Sequence, residues 1–251
     1  MQVIQGVDAL RPDLGPVFVV VGVFDGLHLG HAYLLRHLVS EAAARDARPT
    51  VITFDHHPDE VLVGVAPPLL LDPAERLERL EASGVEVTVV QHFDAALRQT
   101  PYDVFVERIR SRVGLSGFLM TPDAAFGFER RGTPTALATL GERDGFDVVV
   151  IPPFTVDGQD VRSSAIRAAI AAGNLAAASA LLGRPVTISG AVGDPGNGGA
   201  RLEFELPVAL PPDGDYPARV DGAPLTLRLV DGDAYLVGRV ANRRVTVALP
   251  A

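Results

Sequence analysis

The feature that most constrains this chain is a regular alternation of short apolar runs with helical patterns, which continues to about residue 182. Such alternation predicts βαβ units and therefore a parallel sheet covered by helices on both faces. Ligands of such sheets bind outside the carboxyl ends of the strands. The predicted strands are 17–23, 50–54, 85–90, 116–120 and 147–151, and the predicted helices are 31–46, 73–83 and 102–113.

The pattern changes after Arg184, where no long helical stretch remains. Short strand-like runs are separated by Asp-Gly pairs at 213–214, 221–222 and 231–232, which favour tight hairpin turns. The glycine-rich stretch 193–199 predicts a loop. We therefore predict an α/β chain, with a parallel-sheet domain over 1–184 and a small antiparallel β-barrel domain over 185–251.

Composition excludes several classes of function. The net charge of −9 argues against a nucleic-acid partner, because phosphate neutralisation needs a basic face. The chain has no cysteine and no lysine, which excludes thiolate chemistry and a P-loop lysine. The N-terminal residues lack a signal-peptide pattern, and no apolar run reaches the length of a membrane span. We therefore expect a cytoplasmic protein without a membrane partner, and the sequence gives no prediction of oligomeric state.

The strongest chemical signal is the segment 22–31, GVFDGLHLGH, which follows a predicted buried strand and opens a helix. A helix N-terminus there offers free N–H groups to a phosphate, and glycines allow close backbone approach. His28 and His31 can donate hydrogen bonds to the same ligand. The alternatives are a tight turn with incidental histidines, or a metal site with Asp25, His28 and His31 as ligands.

Three further segments follow predicted strands or open a helix. The segment Thr-Phe-Asp-His-His-Pro at 53–58 ends the second predicted strand. The segment 123–132 follows the fourth predicted strand and combines aromatic residues with arginines. The segment 161–167, VRSSAIR, precedes an alanine-rich helical stretch. Ser163 is a candidate N-cap, and alternatively its hydroxyl, that of Ser164 and Arg167 bind a polyphosphate.

These segments, in this order, resemble the bifunctional bacterial flavokinase/FAD synthetase family. The family's Gly-x-Phe-Asp-Gly-x-His-x-Gly-His signature is matched in full by 22–31. Its Thr-Phe-x-Pro-His-Pro segment is matched at 53–58 except that His56 replaces a proline. Its Ser-Ser-Thr-x-Ile-Arg segment is matched with Ala165 in place of threonine, and its Gly-x-Asp-Phe-x-Phe-Gly segment only at Asp123, Phe126 and Gly127.

The resemblance implies a Rossmann-like nucleotidyltransferase domain that transfers AMP from ATP to FMN, giving FAD and pyrophosphate. Magnesium would be held mainly by the phosphates. It implies catalytic roles for His28, His31 and Arg167, with Asp25 and Asp123 as candidates for magnesium or ribose contacts. It implies ATP binding by Gly22, Phe24, Asp25, Gly26, His28, Gly30, His31, Ser163, Ser164 and Arg167. It implies flavin binding by Phe54, His57, Pro58, Asp123 and Phe126.

The C-terminal region departs from the same family. The family's kinase signature, Gly-Arg-x-Leu-Gly-Phe-Pro-Thr-Ala-Asn, is best matched at 201–208, where Leu206 and Val208 replace the threonine and asparagine. Apolar side chains cannot coordinate magnesium. We therefore expect a truncated, degenerate riboflavin kinase-like barrel without kinase activity. The alternative functions are transfer to another phosphorylated small molecule, non-catalytic flavin or nucleotide binding, and a structural partner role.

Overall fold

The computed structural model describes residues 1–196, 199–238, 240 and 242–250. The chain folds into two compact units. The sheet unit comprises 1–24, 30–67 and 77–154, and the barrel unit comprises 25–29, 68–76 and 155–251. The predicted domain division at residue 184 stays a prediction.

The sheet unit is built on six parallel strands in the order β1-β4-β3-β2-β5-β6. Its parallel sheet confirms the fold class predicted from the alternation of apolar runs. Strands β2 and β3 are buried along nearly their whole length, as expected where helices cover both faces. The strands are β1 Gln2–Gln5, β2 Val17–Val21, β3 Arg48–Phe54, β4 Val87–Gln91, β5 Leu115–Met120 and β6 Asp147–Val150.

Helices α1 to α6 lie between strands of the sheet along the chain, and helices α7 and α8 precede the barrel strands. Helix α6 begins where the Thr133 side chain accepts a hydrogen bond from the N–H of Ala136, and it ends at Gly145 in the left-handed conformation. Helix α3 begins after Asp72, whose carboxylate accepts from the N–H of Ala74 at 2.9 Å. The helices are α1 Leu29–Ala43, α2 Pro58–Val63, α3 Pro73–Ala82, α4 Ala95–Arg98, α5 Tyr102–Arg110, α6 Pro134–Asp144, α7 Ser163–Ala171 and α8 Leu175–Leu182.

The strand order determines where a ligand can bind in the sheet unit. From β2 the chain runs through α1 to β3 on one side, whereas β5 lies on the other side of β2. The strand order therefore reverses between β2 and β5, which opens a crevice at their carboxyl ends. The 22–31 segment begins with Gly22, the residue directly after β2, and therefore starts at this position.

The barrel unit contains a closed antiparallel barrel in the order β10-β13-β12-β11-β14-β9. Two of its hairpins turn at Asp221-Gly222 and Asp231-Gly232, where both residues have positive φ, as a type I′ turn requires. This confirms the predicted small antiparallel barrel. Its strands are β9 Val186–Gly196, β10 Gly199–Glu203, β11 Gly214–Val220, β12 Ala223–Val230, β13 Asp233–Val237 and β14 Arg244–Leu249, and a separate hairpin joins β7 Thr155–Val156 to β8 Gln159–Asp160.

The predicted loop at 193–199 is wrong for its first part. Strand β9 continues to Gly196 because Pro195 and Gly196 pair with the start of β10, and residues 197 and 198 lie outside the described residues. Strand β1 was not predicted, although it pairs with β4 at the sheet edge. In the described part of the chain, no helix combines the length and apolar character that a membrane crossing needs.

The β5–β6 pair leaves no room for a side chain at Gly117. A Cβ there would lie 2.4 Å from the Asp147 carbonyl oxygen and 2.6 Å from Cε2 of the fully buried Phe18. We expect Gly117→Ala to lower the free energy of unfolding by about 1–3 kcal/mol, the usual cost of overpacking. The measurement is urea denaturation followed by circular dichroism.

The matched control is Gly114→Ala. A Cβ at Gly114 would meet Pro16 Cα at 3.5 Å, an ordinary contact. Equal denaturation midpoints for the two variants would contradict the predicted close approach at Gly117.

Candidate active site

The first part of the 22–31 segment continues the sheet. The N–H of Gly22 donates to the Ile52 carbonyl at 3.0 Å, and the Thr53 hydroxyl donates to the Val23 carbonyl at 2.9 Å. Phe24 has a positive φ of 55°, and its buried ring lies 5.1 Å from that of His31, which is in the first turn of α1. These contacts hold the start of the loop at the carboxyl ends of β2 and β3.

The Asp25 carboxylate is buried and paired with two groups from other parts of the barrel unit. Its two oxygens accept the N–H of Leu70 at 3.0 and 3.1 Å, and it forms an ion pair with Arg167. Arg167 also donates through Nε to the Pro68 carbonyl at 2.7 Å. Burial raises the pKa of Asp25, while Arg167 and the Leu70 N–H oppose that shift by stabilising the carboxylate.

The 161–167 segment meets the 22–31 segment at Asp25. The Ser163 hydroxyl donates to the Asp25 carbonyl at 3.0 Å, and α7 begins at Ser163. The N-cap of α7 is Arg162, so the interpretation of Ser163 as the N-cap is wrong. Its hydroxyl is used instead to join α7 to the loop, and Ser164 lies in the first turn of the helix. The structure therefore brings Asp25, Ser163 and Arg167 together.

His28 lies in an environment that favours the neutral imidazole. Its exposed fraction is 5%, and the charge of Arg184 lies close enough to act on it. Burial, aided by that charge, lowers the pKa of His28 to about 4. Arg184 also donates to the Gly26 carbonyl at 2.8 Å. Gly26 has φ 83°, and a Cβ there would crowd Leu70.

The candidate flavin residues at the end of β3 have structural contacts of their own. The Phe54 ring packs edge-on against that of Phe93 at 5.3 Å. His57 is the N-cap of α2, and its Nδ1 accepts from the N–H of Asp59 at 3.2 Å. Pro58 is the first residue of α2, a position that suits its fixed φ and missing N–H.

Asp123 and Phe126 follow β5, across β2 from β3 in the sheet. The Asp123 carboxylate accepts from the Thr121 hydroxyl at 2.8 Å. Phe126 packs against Phe105 and Phe118, each with ring centroids 5.7 Å away. The five candidate flavin residues thus end or follow the two strands that flank β2, at the edge where its loop begins.

The possible metal ligands that lie close together differ from Asp25, His28 and His31, the alternative set suggested by the sequence. Among the described residues, only Asp55, His56 and His92 bring three ligand atoms within 4.8 Å of one another. Asp25 does not belong to this group and is instead paired with Arg167 and with the Leu70 N–H.

Several residues of this network were not found from the sequence. Arg184, the N–H of Leu70 and the carbonyl of Pro68 act on residues 25–28 or on Arg167 from far along the chain. Two of the three groups belong to the backbone, which every residue carries, so residue type gave no signal. Arg184 stands at the end of an alanine-rich helix, where an arginine is common.

The model of the FAD synthetase family matches residues 11–165. Curated relatives extend the similarity. A bifunctional riboflavin kinase/FMN adenylyltransferase of Haemophilus influenzae is 34% identical over 194 residues, 76% of this chain and 63% of the relative. The protein of the same name from Escherichia coli K12 is 34% identical over 200 residues, 76% of this chain and 62% of the relative. The match therefore spans less than two thirds of these relatives' own length.

A crystal structure named as a macrolide-efflux protein from Streptococcus pneumoniae has a similar fold. Its TM-score is 0.78 at 24% identity, and the match covers 99% of this chain and 88% of the other. At that identity the likeness concerns the fold alone.

The lowered pKa of His28 makes stability depend on pH. Protonation of this histidine favours the unfolded state, so its contribution is complete at neutral pH and is lost as pH falls from about 6.5 towards about 4. We expect the difference in unfolding free energy between the wild type and His28→Gln to shrink by about 2 kcal/mol between pH 7 and pH 5. Chemical denaturation at both values measures it, and a pH-independent difference would contradict the burial of a neutral His28.

Proposed function

Since this chain belongs to the FAD synthetase family, we propose that it is an FMN adenylyltransferase that transfers AMP from ATP to FMN. An oxygen of the FMN phosphate attacks the α-phosphorus of ATP, the bond from that phosphorus to the β-phosphate bridging oxygen breaks, and pyrophosphate leaves. We assign this activity to residues 1–184. The observation that carries the proposal is that Asp25, Ser163 and Arg167 join the 22–31 and 161–167 segments, to which we assign phosphate binding.

The chemistry asks little proton transfer of the protein. A phosphate monoester is largely dianionic at neutral pH, because its second pKa is about 6. The nucleophile therefore needs no general base, and catalysis rests on positioning and on stabilising the charge of the leaving pyrophosphate. These are tasks for hydrogen-bond donors and cations, which both motifs supply.

Arg167 is the cation that we assign to the triphosphate. Its contacts with Asp25 and the Pro68 carbonyl involve two of the five N–H donors of a guanidinium and hold the planar group in one orientation. An arginine held in this way can bind a phosphate oxygen without first being ordered. We assign it, with Ser163 and Ser164, to the β- and γ-phosphates.

His28 and His31 act at the start of α1. A neutral His28 still donates one N–H to a phosphate oxygen, and it is not strongly hydrated before the substrate binds. The first turn of α1 adds backbone N–H groups and the positive end of the helix dipole. We assign both histidines to the triphosphate and to the charge that develops on pyrophosphate, with Gly22, Phe24, Gly26 and Gly30 shaping the loop around them.

Magnesium enters this proposal as part of the substrate, MgATP. Asp25 is committed to Arg167 and to the Leu70 N–H, and the one three-ligand group found in the described residues contains two imidazoles, which suit other metals. The donor set therefore favours a magnesium ion held by the phosphates.

The flavin side of the site is assigned to Phe54, His57, Pro58, Asp123 and Phe126. Phe54 ends β3, and the other four follow β3 or β5, the two neighbours of β2 in the sheet. FMN placed at that edge would present its phosphate to the loop after β2. This acceptor is supported by the names of the relatives and by the position of these residues.

We propose that the barrel supports the 22–31 segment through residues 68–70 and has no kinase activity. Leu69 forms a parallel bridge with Val208, its N–H donates to the Pro207 carbonyl at 2.8 Å, and its carbonyl accepts from Ala209 at 2.9 Å. This bridge flanks the two groups, the Pro68 carbonyl and the Leu70 N–H, that orient Arg167 and Asp25. The stretch that would hold the kinase metal is thus used to support the loop.

The direct test is incubation of the purified chain with ATP, magnesium and FMN, followed by chromatography. We expect FAD and pyrophosphate in equal amounts, and a loss of at least about a hundredfold in turnover for His28→Ala and His31→Ala, because donors to developing charge are worth this much. Pyrophosphate release with other phosphorylated acceptors but not with FMN would overturn the acceptor. Unchanged turnover in both variants would overturn the histidine assignment.

A second test isolates the geometry of Arg167. Arg167→Lys keeps the charge but loses the planar guanidinium, which can donate hydrogen bonds in several directions at once. We therefore expect kcat/KM for ATP to fall about ten- to a hundredfold. The matched control is Arg143→Lys, the same change at an exposed arginine paired with Asp144, which we expect to leave kcat/KM within twofold. Equal values for both variants would contradict the role of Arg167.

The barrel proposal is tested with riboflavin. We expect no FMN from riboflavin, ATP and magnesium under conditions in which the same preparation makes FAD from FMN, because Leu206 and Val208 offer no side-chain oxygen to a metal. Formation of FMN above the rate without protein would contradict it.

A further inference from the structure

Two histidines and an aspartate meet at the carboxyl ends of β3 and β4. Phe54, the last residue of β3, is paired with Gln91, the last residue of β4. The next residues along the two strands are Asp55 and His92, and His56 follows Asp55. The parallel register therefore places these three side chains at one point of the sheet edge.

We propose that Asp55, His56 and His92 form a binding site for a divalent transition-metal ion of the zinc class. One ligand atom from each side chain lies within 4.8 Å of the others, so a cation between them can reach all three. All three side chains are accessible, with exposed fractions of 34%, 45% and 62%. Two imidazoles with a carboxylate favour zinc, copper or nickel over magnesium or calcium.

The hydrogen bonds of the two imidazoles support this assignment. His92 Nδ1 lies 2.6 Å from Asp55 Oδ2, and His56 Nδ1 lies 3.2 Å from Glu60 Oε2. Metal-binding histidines commonly donate one ring N–H to a carboxylate, which fixes the tautomer that leaves the other nitrogen for the metal. His56 has such a partner in Glu60, whereas the carboxylate beside His92 Nδ1 is that of Asp55 itself, so a metal bound by both would take the place of the proton that this pair shares.

Asp55 also fixes the two loops that carry the histidines. Its Oδ1 accepts from the N–H of His56 at 2.7 Å and from the N–H of Phe93 at 3.2 Å. The charged carboxylate therefore orders both loops, and it attracts a cation.

The site depends on a residue that distinguishes this chain from the flavokinase/FAD synthetase pattern. That pattern has proline where this chain has His56, and proline offers no ligand. The proposal is therefore independent of the adenylyl transfer proposed above, and concerns a property of this chain rather than of the motif.

The experiment is a zinc titration of the full chain, prepared without a polyhistidine tag, in competition with a chromophoric chelator. We expect one equivalent to bind with a dissociation constant in the micromolar range, as suits an exposed site. His56→Pro and His92→Ala are each expected to weaken binding at least tenfold, and Glu60→Gln to weaken it about tenfold through the tautomer of His56. Magnesium in large excess is expected not to compete.

The matched control is His37→Ala, which removes a histidine on α1 and is expected to bind zinc like the wild type. Circular dichroism verifies that each variant is folded. The proposal is overturned if the wild type binds no zinc below about 1 mM, or if folded His56→Pro or His92→Ala keeps wild-type affinity. The wild-type titration tests it even where a variant does not fold.

Discussion

The candidate active site depends on one buried carboxylate. Asp25 has an exposed side-chain fraction of 3%, and a charge at such a position is tolerated only with partners. Its partners are the N–H of Leu70 and the guanidinium of Arg167, which lie 45 and 142 residues further along the chain. Removing one partner from a buried pair costs about 3–5 kcal/mol, so this carboxylate fixes the loop, the 68–76 segment and α7 as one arrangement.

The same arrangement gives the loop its strained form. Phe24 and Leu27 have φ values of 55° and 39°, which side chains adopt only when their surroundings impose it. Gly26 between them has φ 83°, and its place beside Leu70 leaves no space for a larger residue. A loop held in this conformation loses little conformational freedom when a ligand binds, which would favour affinity for the triphosphate proposed above.

The sequence predicted those parts of the fold that depend on local periodicity. Strands β2 to β6 were found because strands covered on both faces are almost uninterrupted apolar runs, and the barrel because its hairpins turn at Asp-Gly pairs. Strand β1 was missed, since three of its four residues are exposed and its pattern resembles a loop. Edge strands depend on pairing with a distant partner, which no local pattern records.

The site was predictable to the extent that its residues form short motifs. His28, His31 and Arg167 could be named from residue type and spacing, but the burial that makes His28 neutral and the ion pair that orients Arg167 depend on distant groups. Ser163 illustrates the limit, because a serine before a helix indicates an N-cap. Its hydroxyl bonds the Asp25 carbonyl only because the chain returns there 138 residues later.

The interleaving of the two units has a consequence for how such a chain can be divided or inherited. The chain passes from one unit to the other five times, after residues 24, 29, 67, 76 and 154. The stretches 25–29 and 68–76 therefore belong to the barrel unit although they lie far from it in sequence. No single cut separates the units, and a gene fragment ending at 184 would encode Leu69 without its bridge partner Val208. Such a fragment would therefore lose the hydrogen bonds by which Leu69 is held between Pro207 and Ala209.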